Sequence, residues 1–150
     1  MTRPSGLALL LSQLGAYSAG ELARRLAPLD LTPAHVGVLR VLALRPGINQ
    51  QELAEAIGAV PSRVVKLLDE LGDRGLVERR RSESDRRHHE LHLASTARTT
   101  LDAVLATVVE HDREIGAGLT APERRELVAL LTKLSAARGI GGRGHPGYRD

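Results

Sequence analysis

The sequence predicts a mainly α-helical protein with one small β-hairpin near the middle of the chain. Apolar residues recur at helical spacing in six segments, and Pro or Gly separates each segment from the next. Between the fourth and fifth segments, two short runs of β-strand character flank the turn-rich residues 82–85. We therefore expect the order helix, helix, short helix, helix, hairpin, long helix, helix.

Composition places the chain in the ordinary globular class. It has 150 residues, of which 42% are hydrophobic and 26% charged, and this length predicts one folded domain. Cysteine is absent, which excludes disulfides, thiolate metal sites and a thiol switch. Phe and Trp are also absent, which excludes an aromatic base-stacking surface. Because no apolar run reaches the length of a membrane span and no signal-peptide pattern is present, we expect a cytoplasmic protein.

The first two helices are delimited by their end signals. Residues 6–27 carry a helical apolar stripe, and Pro28 ends it. Thr32 followed by Pro33 has the pattern of an N-cap with proline at the first helical position. This start predicts a second helix that runs to about Leu44.

The third and fourth helices form a helix-turn-helix candidate. Asn49 and Glu52 have the spacing of a capping box, which predicts a short third helix that ends at Gly58. Pro61 begins a fourth helix of about 13 residues, separated from the third by a tight turn over residues 58–60. The apolar set expected to face inward on this fourth helix is Val64, Leu67, Leu68 and Leu71.

A basic hairpin directly follows the helix-turn-helix, with predicted strands at 76–81 and 88–93. Residues 74–87 contain six arginines and three acidic residues, so their net charge of +3 equals that of the whole chain. A localised basic patch next to a helix-turn-helix predicts DNA binding, with the hairpin as a wing. The outer side of the fourth helix then carries side chains of the types that contact base edges, namely Ser62, Arg63, Val65 and Lys66.

The C-terminal part of the chain predicts two further helices and a tail. Ser95 is expected to cap a long fifth helix that ends near residue 116, and Thr120 with Glu123 forms a second capping-box pattern for the sixth. Leucine stripes on the first, fifth and sixth helices exceed what a compact lobe can cover, so we expect an isologous homodimer. The glycine-rich tail from Gly139 is expected to be disordered.

Taken in order, these motifs resemble the MarR family of winged helix-turn-helix transcriptional regulators. The resemblance rests on Leu31-Thr32-Pro33, Gln51-Glu52-Leu53-Ala54, Val64 to Leu71 before Gly75-Leu76-Val77-Glu78-Arg79, and Ser84-Asp85-Arg86-Arg87 with Leu91-His92-Leu93. It implies an N-terminal dimerisation helix (1–30), a winged helix-turn-helix lobe (31–94), C-terminal dimerisation helices (95–138) and a flexible tail (139–150). It further implies a repressor that binds a pseudo-palindromic operator in double-stranded DNA and is released by a small-molecule effector.

The resemblance also implies roles for individual residues. Asn49 and Gln50 match phosphate-contacting positions, Arg87 matches the wing-tip arginine of the minor groove, and Asp85 matches an acid that holds the wing by an ion pair. Val60-Pro61 departs from the family pattern, which often has a polar cap and an arginine there. The full set predicted to contact DNA is Asn49, Gln50, Ser62, Arg63, Val65, Lys66, Arg81, Asp85, Arg86 and Arg87.

Three further residues are candidates for an effector site, namely Tyr17, His35 and His111. Tyr17 and His35 lie on helices that, by resemblance, line the effector cleft, but simple packing also explains them. His111 shares a face with apolar residues of the fifth helix, so it is an interface histidine, a ligand contact or a metal ligand. The alternating His88, Glu90 and His92 on one strand have the pattern of a solvated wing face or of a metal site.

The sequence also bears on functions other than that of an effector-released DNA-binding repressor. The chain contains no Gly-x-Ser-x-Gly, P-loop or His-Glu-x-x-His motif, so we predict no enzyme activity and no cofactor. The alternatives that stay open are a winged-helix protein with a non-specific DNA-binding or protein-contact role and no effector, and a metal-responsive regulator that uses its histidines.

Overall fold

The computed structural model describes residues 6–84 and 87–140, and it has the predicted order of helices and hairpin. The fold class expected from the sequence is confirmed. Two connections contain a short 3-10 turn: Ala27–Leu29 lies between the first and second helices, and Ser95–Ala97 lies between the hairpin and the fifth helix. The elements are α1 (Leu7–Leu26), α2 (Pro33–Leu44), α3 (Gln50–Ile57), α4 (Pro61–Asp73), β1 (Val77–Arg81), β2 (His89–Leu93), α5 (Arg98–Ile115) and α6 (Ala121–Ala137).

One hydrophobic core lies between α2, α3, α4 and the hairpin. Leucine side chains from every one of these helices and from β2 are almost completely buried in it, including Leu39, Leu53, Leu71 and Leu91. The four residues predicted to face inward on α4 are each at most 2% exposed. Because this core carries the apolar face of α4, it fixes the rotation of that helix and therefore which residues face outward.

The ends of the helices follow the predicted capping chemistry in α2, α3 and α6. In α3 the Asn49 side chain accepts a hydrogen bond from the Glu52 N–H (2.9 Å), and Glu52 accepts one from the Asn49 N–H (2.9 Å). Gly58 ends α3 with φ of 69°, in the left-handed region that favours glycine. In α6 the hydrogen bonds from Thr120 hold the pKa of Glu123 below its ordinary value.

The prediction that Ser95 caps the fifth helix is wrong. Residues 95–97 form a 3-10 turn, and α5 begins at Arg98 without a side-chain cap. The tight turn allows Ala97 to reach the core, where it is fully buried, and allows the Thr96 hydroxyl to donate to the Gly75 carbonyl (3.0 Å). Contacts with the lobe therefore override the local capping preference of Ser95.

The hairpin is anchored to the loop that precedes α3. Its strands pair antiparallel with Val77 opposite Leu93 and Arg79 opposite Leu91. On its other side Leu91 exchanges two backbone hydrogen bonds with the loop, from the Gly47 N–H (2.9 Å) and to the Ile48 carbonyl (2.9 Å). β2 is thus hydrogen-bonded on both edges, to β1 on one side and to the loop before α3 on the other. These bonds attach the wing to the start of α3.

The helices at the two ends of the chain are much less buried than the lobe. On α5, His111 is buried and its Nε2 lies 3.0 Å from the Ser18 hydroxyl of α1, while Arg25 of α1 pairs with Glu114. No residue of α6 is buried. Across residues 6–84 and 87–140, no helix has the length and apolar character that crossing a membrane requires.

His35 connects the start of α2 to α4. The Thr32 backbone N–H lies 3.1 Å from Nδ1 of His35 and can only donate, so Nδ1 accepts and the ring proton is on Nε2. Nε2 then donates to the carboxylate of Glu70 on α4 (2.8 Å). Arg74, just after α4, donates to the carbonyls of Leu29 and Asp30. The connection between α1 and α2 is therefore bonded to α4 at two places.

Replacing His35 should cost more stability than replacing its partner Glu70. His35→Ala removes the hydrogen bond from the Thr32 N–H and the part-buried hydrogen bond to Glu70 together, so we expect it to lower the free energy of unfolding by about 2–3 kcal/mol. Glu70→Ala leaves the cap intact and should cost about 1 kcal/mol. Urea unfolding at fixed protein concentration measures both, with Glu126→Ala on the exposed face of α6 as the control. Equal losses for His35→Ala and Glu70→Ala would show that the cap contributes nothing.

Candidate nucleic-acid interface

α4 presents two parallel rows of side chains opposite its buried face. Residues four apart are neighbours on a helix, so each row advances by four positions. The first row is Pro61, Val65 and Asp69, and the second row is Ser62, Lys66 and Glu70. Both rows begin at the first turn of the helix and are exposed or half-buried along their length. The outer side of α4 predicted from the sequence is therefore available to a ligand.

The acidic residue that closes each row is neutralised within the protein. Asp69 accepts a hydrogen bond from Arg79 of β1 (2.8 Å). Glu70 is bonded to His35 and lies 3.9 Å from the ammonium group of Lys66. Since these partners offset both carboxylates, little negative charge opposes a polyanion at the outer face of α4.

The predicted residues of α4 are not equally placed. Ser62, Val65 and Lys66 are exposed on the outer side. Arg63 is half-buried on the flank, and its Nε is buried without a hydrogen-bond partner among the described residues. Arg63 therefore reaches outward with its terminal nitrogens only.

A groove of about 370 Å³ joins the start of α3 to the wing. Asn49 and Gln50, both predicted to contact phosphate, line it on the α3 side. Because the side-chain oxygen of Asn49 is used by the cap, Asn49 offers its side-chain NH₂ group to a ligand. The described residues that line it are Asn49, Gln50, Gln51, Arg79, Arg87, His88, His89 and Leu91.

The described arginines of the wing are all exposed, and two of them form ion pairs with acidic residues of this chain. Arg79 is bonded to Asp69, and Arg80 is bonded to Glu78. Arg81 is exposed and makes no ion pair with a described residue, and Arg87 is exposed at the edge of the groove. Asp85 and Arg86, predicted to form part of the wing tip, lie outside the described residues. Arg81 and Arg87 are therefore accessible to a ligand at the surface of the wing.

Glu90 and His92 form a pair on the wing rather than an open ligand set. The two side chains are 3.2 Å apart, and hydrogen bonds from His92 and Ser82 hold the pKa of Glu90 below its ordinary value. The contribution of this pair to stability is thus present at neutral pH and is lost as the pH falls through the lowered pKa of Glu90. Within the described ranges, no three His, Asp or Glu side chains are grouped so that they could hold a metal ion.

The three effector candidates lie in different surroundings among the described residues. Tyr17 is 62% exposed on α1, whereas His111 is buried against Ser18. His35 has both ring nitrogens engaged by Thr32 and Glu70. Neither of the two described cavities, the groove and a hollow of about 580 Å³ between α3 and the start of α4, is lined by any of these three residues.

Several groove residues were not predicted from the sequence, namely Gln51, Arg79, His88 and His89. Arg79 and the two histidines lie in the basic hairpin, so their charge and position were visible. Their proximity to α3 depends on the backbone bonds of Leu91 to the loop at residues 47–48, which no local pattern reveals.

The part of the chain that is similar in sequence to known proteins includes the lobe that carries this candidate interface. The MarR family model matches residues 29–88. A Thauera aromatica protein, proposed as the transcriptional regulatory protein for the hcr operon, is 35% identical over 104 residues. The match covers 69% of this chain and 63% of that protein, so the chain spans slightly less than two thirds of this relative's length.

Solved structures of similar fold cover nearly the whole chain. The transcriptional repressor CouR, bound to a 23-mer DNA duplex, is 32% identical with a TM-score of 0.80, over 90% of this chain and 99% of that one. The Mycobacterium tuberculosis MarR family protein Rv2887, in complex with salicylic acid, is 33% identical with a TM-score of 0.72, over 89% and 99%. The similar proteins are transcriptional regulators, not enzymes. With its helix-turn-helix, its basic wing and these relatives, the chain belongs to the MarR family of transcriptional regulators.

Proposed function

We propose that this regulator binds a specific pseudo-palindromic site in double-stranded DNA as a homodimer and represses transcription there. The observation that carries the proposal is the shared exposure of the first two turns of α4, the groove at the start of α3 and the wing arginines. In this arrangement α4 enters the major groove, and Arg87 enters the adjacent minor groove, whose narrow A·T-rich form attracts arginine. The repressor CouR, which is bound to DNA in its structure, has a similar fold and supports the proposal.

The groove between α3 and the wing suits the DNA backbone. Its donors include the side-chain NH₂ groups of Asn49, Gln50 and Gln51, and no carboxylate is among the described residues that line it. Phosphate contacts of this kind fix the register of the protein on the duplex, while α4 contacts the bases. Ser62, Lys66 and the outward part of Arg63 supply hydrogen-bond donors for base edges.

Homodimerisation is supported by apolar side chains left uncovered on α1 and α6. Leu10 and Leu14 of α1 are 43% and 61% exposed, and Leu127 and Leu130 of α6 are 43% and 53% exposed. Exposed leucines on one helix after another are typical of an interface, and a two-fold interface would place two recognition helices about one DNA turn apart, roughly 34 Å. The dimer therefore accounts for both the exposed leucines and the symmetry of the site.

Release by a small-molecule effector is the remaining part of the proposal. The similar protein Rv2887 has a structure in complex with salicylic acid. In this chain Tyr17 and His111 lie on the paired helices α1 and α5, and His35 bonds α2 to α4. A ligand that changes the contact between these helices would move α4 through the bonds of His35 and Arg74.

Removing Arg87 should weaken binding to every duplex in a salt-dependent way. Each phosphate-neutralising cation contributes about one to the slope of log affinity against log salt, so Arg87→Ala should flatten that slope by about one. Fluorescence anisotropy at several salt concentrations measures the slope. Arg138→Ala, an exposed arginine at the end of α6, is the control and should leave the slope unchanged. An unchanged slope for Arg87→Ala would contradict the role given to the wing.

The free protein should be a dimer at micromolar concentration. Light scattering is expected to give twice the chain mass of 16.1 kDa. Leu130→Glu puts a charge into the proposed interface and should shift the mass toward one chain, because a buried unpaired charge is costly. Leu44→Glu, at a residue of α2 that is 72% exposed, should remain a dimer. A wild-type protein with the mass of one chain would overturn this part of the proposal.

A further inference from the structure

The N-cap residue of α4 and the first two residues of the first row form a small exposed apolar strip. It consists of Val60, Pro61 and Val65, and we call it the apolar strip. Val60 is 53% exposed, Val65 is 38% exposed, and Pro61 is also exposed. Pro61 and Val65 are four residues apart on the same row, and Val60 immediately precedes them, so the three side chains are neighbours.

Folding does not account for the apolar strip. The core contacts of α4 come from the opposite face, where Val64 and its partners are at most 2% exposed. In the same lobe α2 and α3 begin with reciprocal capping boxes, whereas Val60, the N-cap residue of α4, provides no side-chain cap. Valine is a poor N-cap and, at an exposed helical position such as 65, a poor helix former. The two valines of the apolar strip therefore make the start of α4 less stable than better capping and helix-forming residues would.

The surroundings of the apolar strip limit what it can contact. Ser62 and Lys66 flank it on the second row, and the ion pair of Asp69 with Arg79 closes its own row one turn further on. This strip is too small and too closely bordered by polar groups to be a protein-docking surface. Its size suits one or two methyl groups that are presented beside hydrogen-bonding and anionic groups.

We propose that the apolar strip contacts the C5-methyl group of thymine in the major groove, with Val65 as the main contact. Among the four DNA bases only thymine presents a methyl group in this groove, next to its O4 acceptor. Burying that methyl against valine removes apolar surface from water, while Ser62 and Lys66 provide donors for neighbouring acceptors. Val65 is thereby a specificity-determining residue. The inference rests on the proposed function, because it requires that α4 lie in the major groove.

Thymine-to-deoxyuridine substitution tests the inference, because it deletes the methyl group and keeps the base pair. A tight-binding duplex is first selected from a randomised pool with the wild-type protein. Each thymine is then replaced by deoxyuridine, symmetrically in both half-sites, and affinity is measured by anisotropy. We expect at least one position per half-site at which this symmetric replacement lowers the affinity of the wild type roughly fifteenfold, about fourfold for each of the two methyl groups removed.

The variant Val65→Ala should lose this discrimination. Alanine is the better helix former, so folding is retained, and the variant should bind thymine and deoxyuridine duplexes with equal affinity at that position. The control Val109→Ala removes an exposed valine of α5 and should keep the full thymine preference.

Two results would overturn the inference. In the first, the wild-type protein prefers the selected duplex to a scrambled one but loses no affinity when any thymine methyl is removed. This result would leave the proposed function intact. The other is a Val65→Ala variant with an undiminished thymine preference, which would assign the methyl contact to another residue. A protein without any preference for the selected duplex would refute the proposed function as well.

Discussion

The burial of one face of α4 in the core of the lobe determines which of its side chains face outward. Val64, Leu67, Leu68 and Leu71 occupy that core almost without exposure, so the helix has one rotational setting. The two outward rows follow from this setting, as does the separation of the apolar strip from Ser62 and Lys66. A slip of one residue in the buried set would turn Val65 inward and abolish the interface.

Hydrogen bonds and ion pairs hold α4 in place from two sides. His35 and Arg74 connect it to the segment between α1 and α2, and Arg79 connects Asp69 to the wing. The bond from Arg79 also offsets the negative charge of Asp69. One small set of bonds thus positions α4, and one of these bonds reduces the negative charge at its outer face. Because two of them reach the segment between α1 and α2, a change in the position of that segment would be transmitted to α4.

Local signals in the sequence predicted most of the fold but not its cross-chain contacts. The proline and capping patterns located the starts of α2, α3, α4 and α6, because these signals depend on residues within one turn. Ser95 had the same local pattern and did not cap α5, since burial of Ala97 decided the local conformation. Charge located the basic hairpin, yet the pairing of Arg79 with Asp69 and the bonds of His35 required the three-dimensional structure. The periodicity indicated that Val65 faces outward on α4. It did not indicate that polar side chains border the apolar strip.

The central claim is that this chain recognises a DNA sequence through α4 and the wing. The most direct test is an anisotropy titration of a selected duplex and its scrambled counterpart at two salt concentrations. The account predicts at least about a thousandfold preference for the selected duplex and a steep loss of affinity at the higher salt. Equal and weak binding to both duplexes would contradict sequence recognition and reduce the basic wing to a non-specific contact.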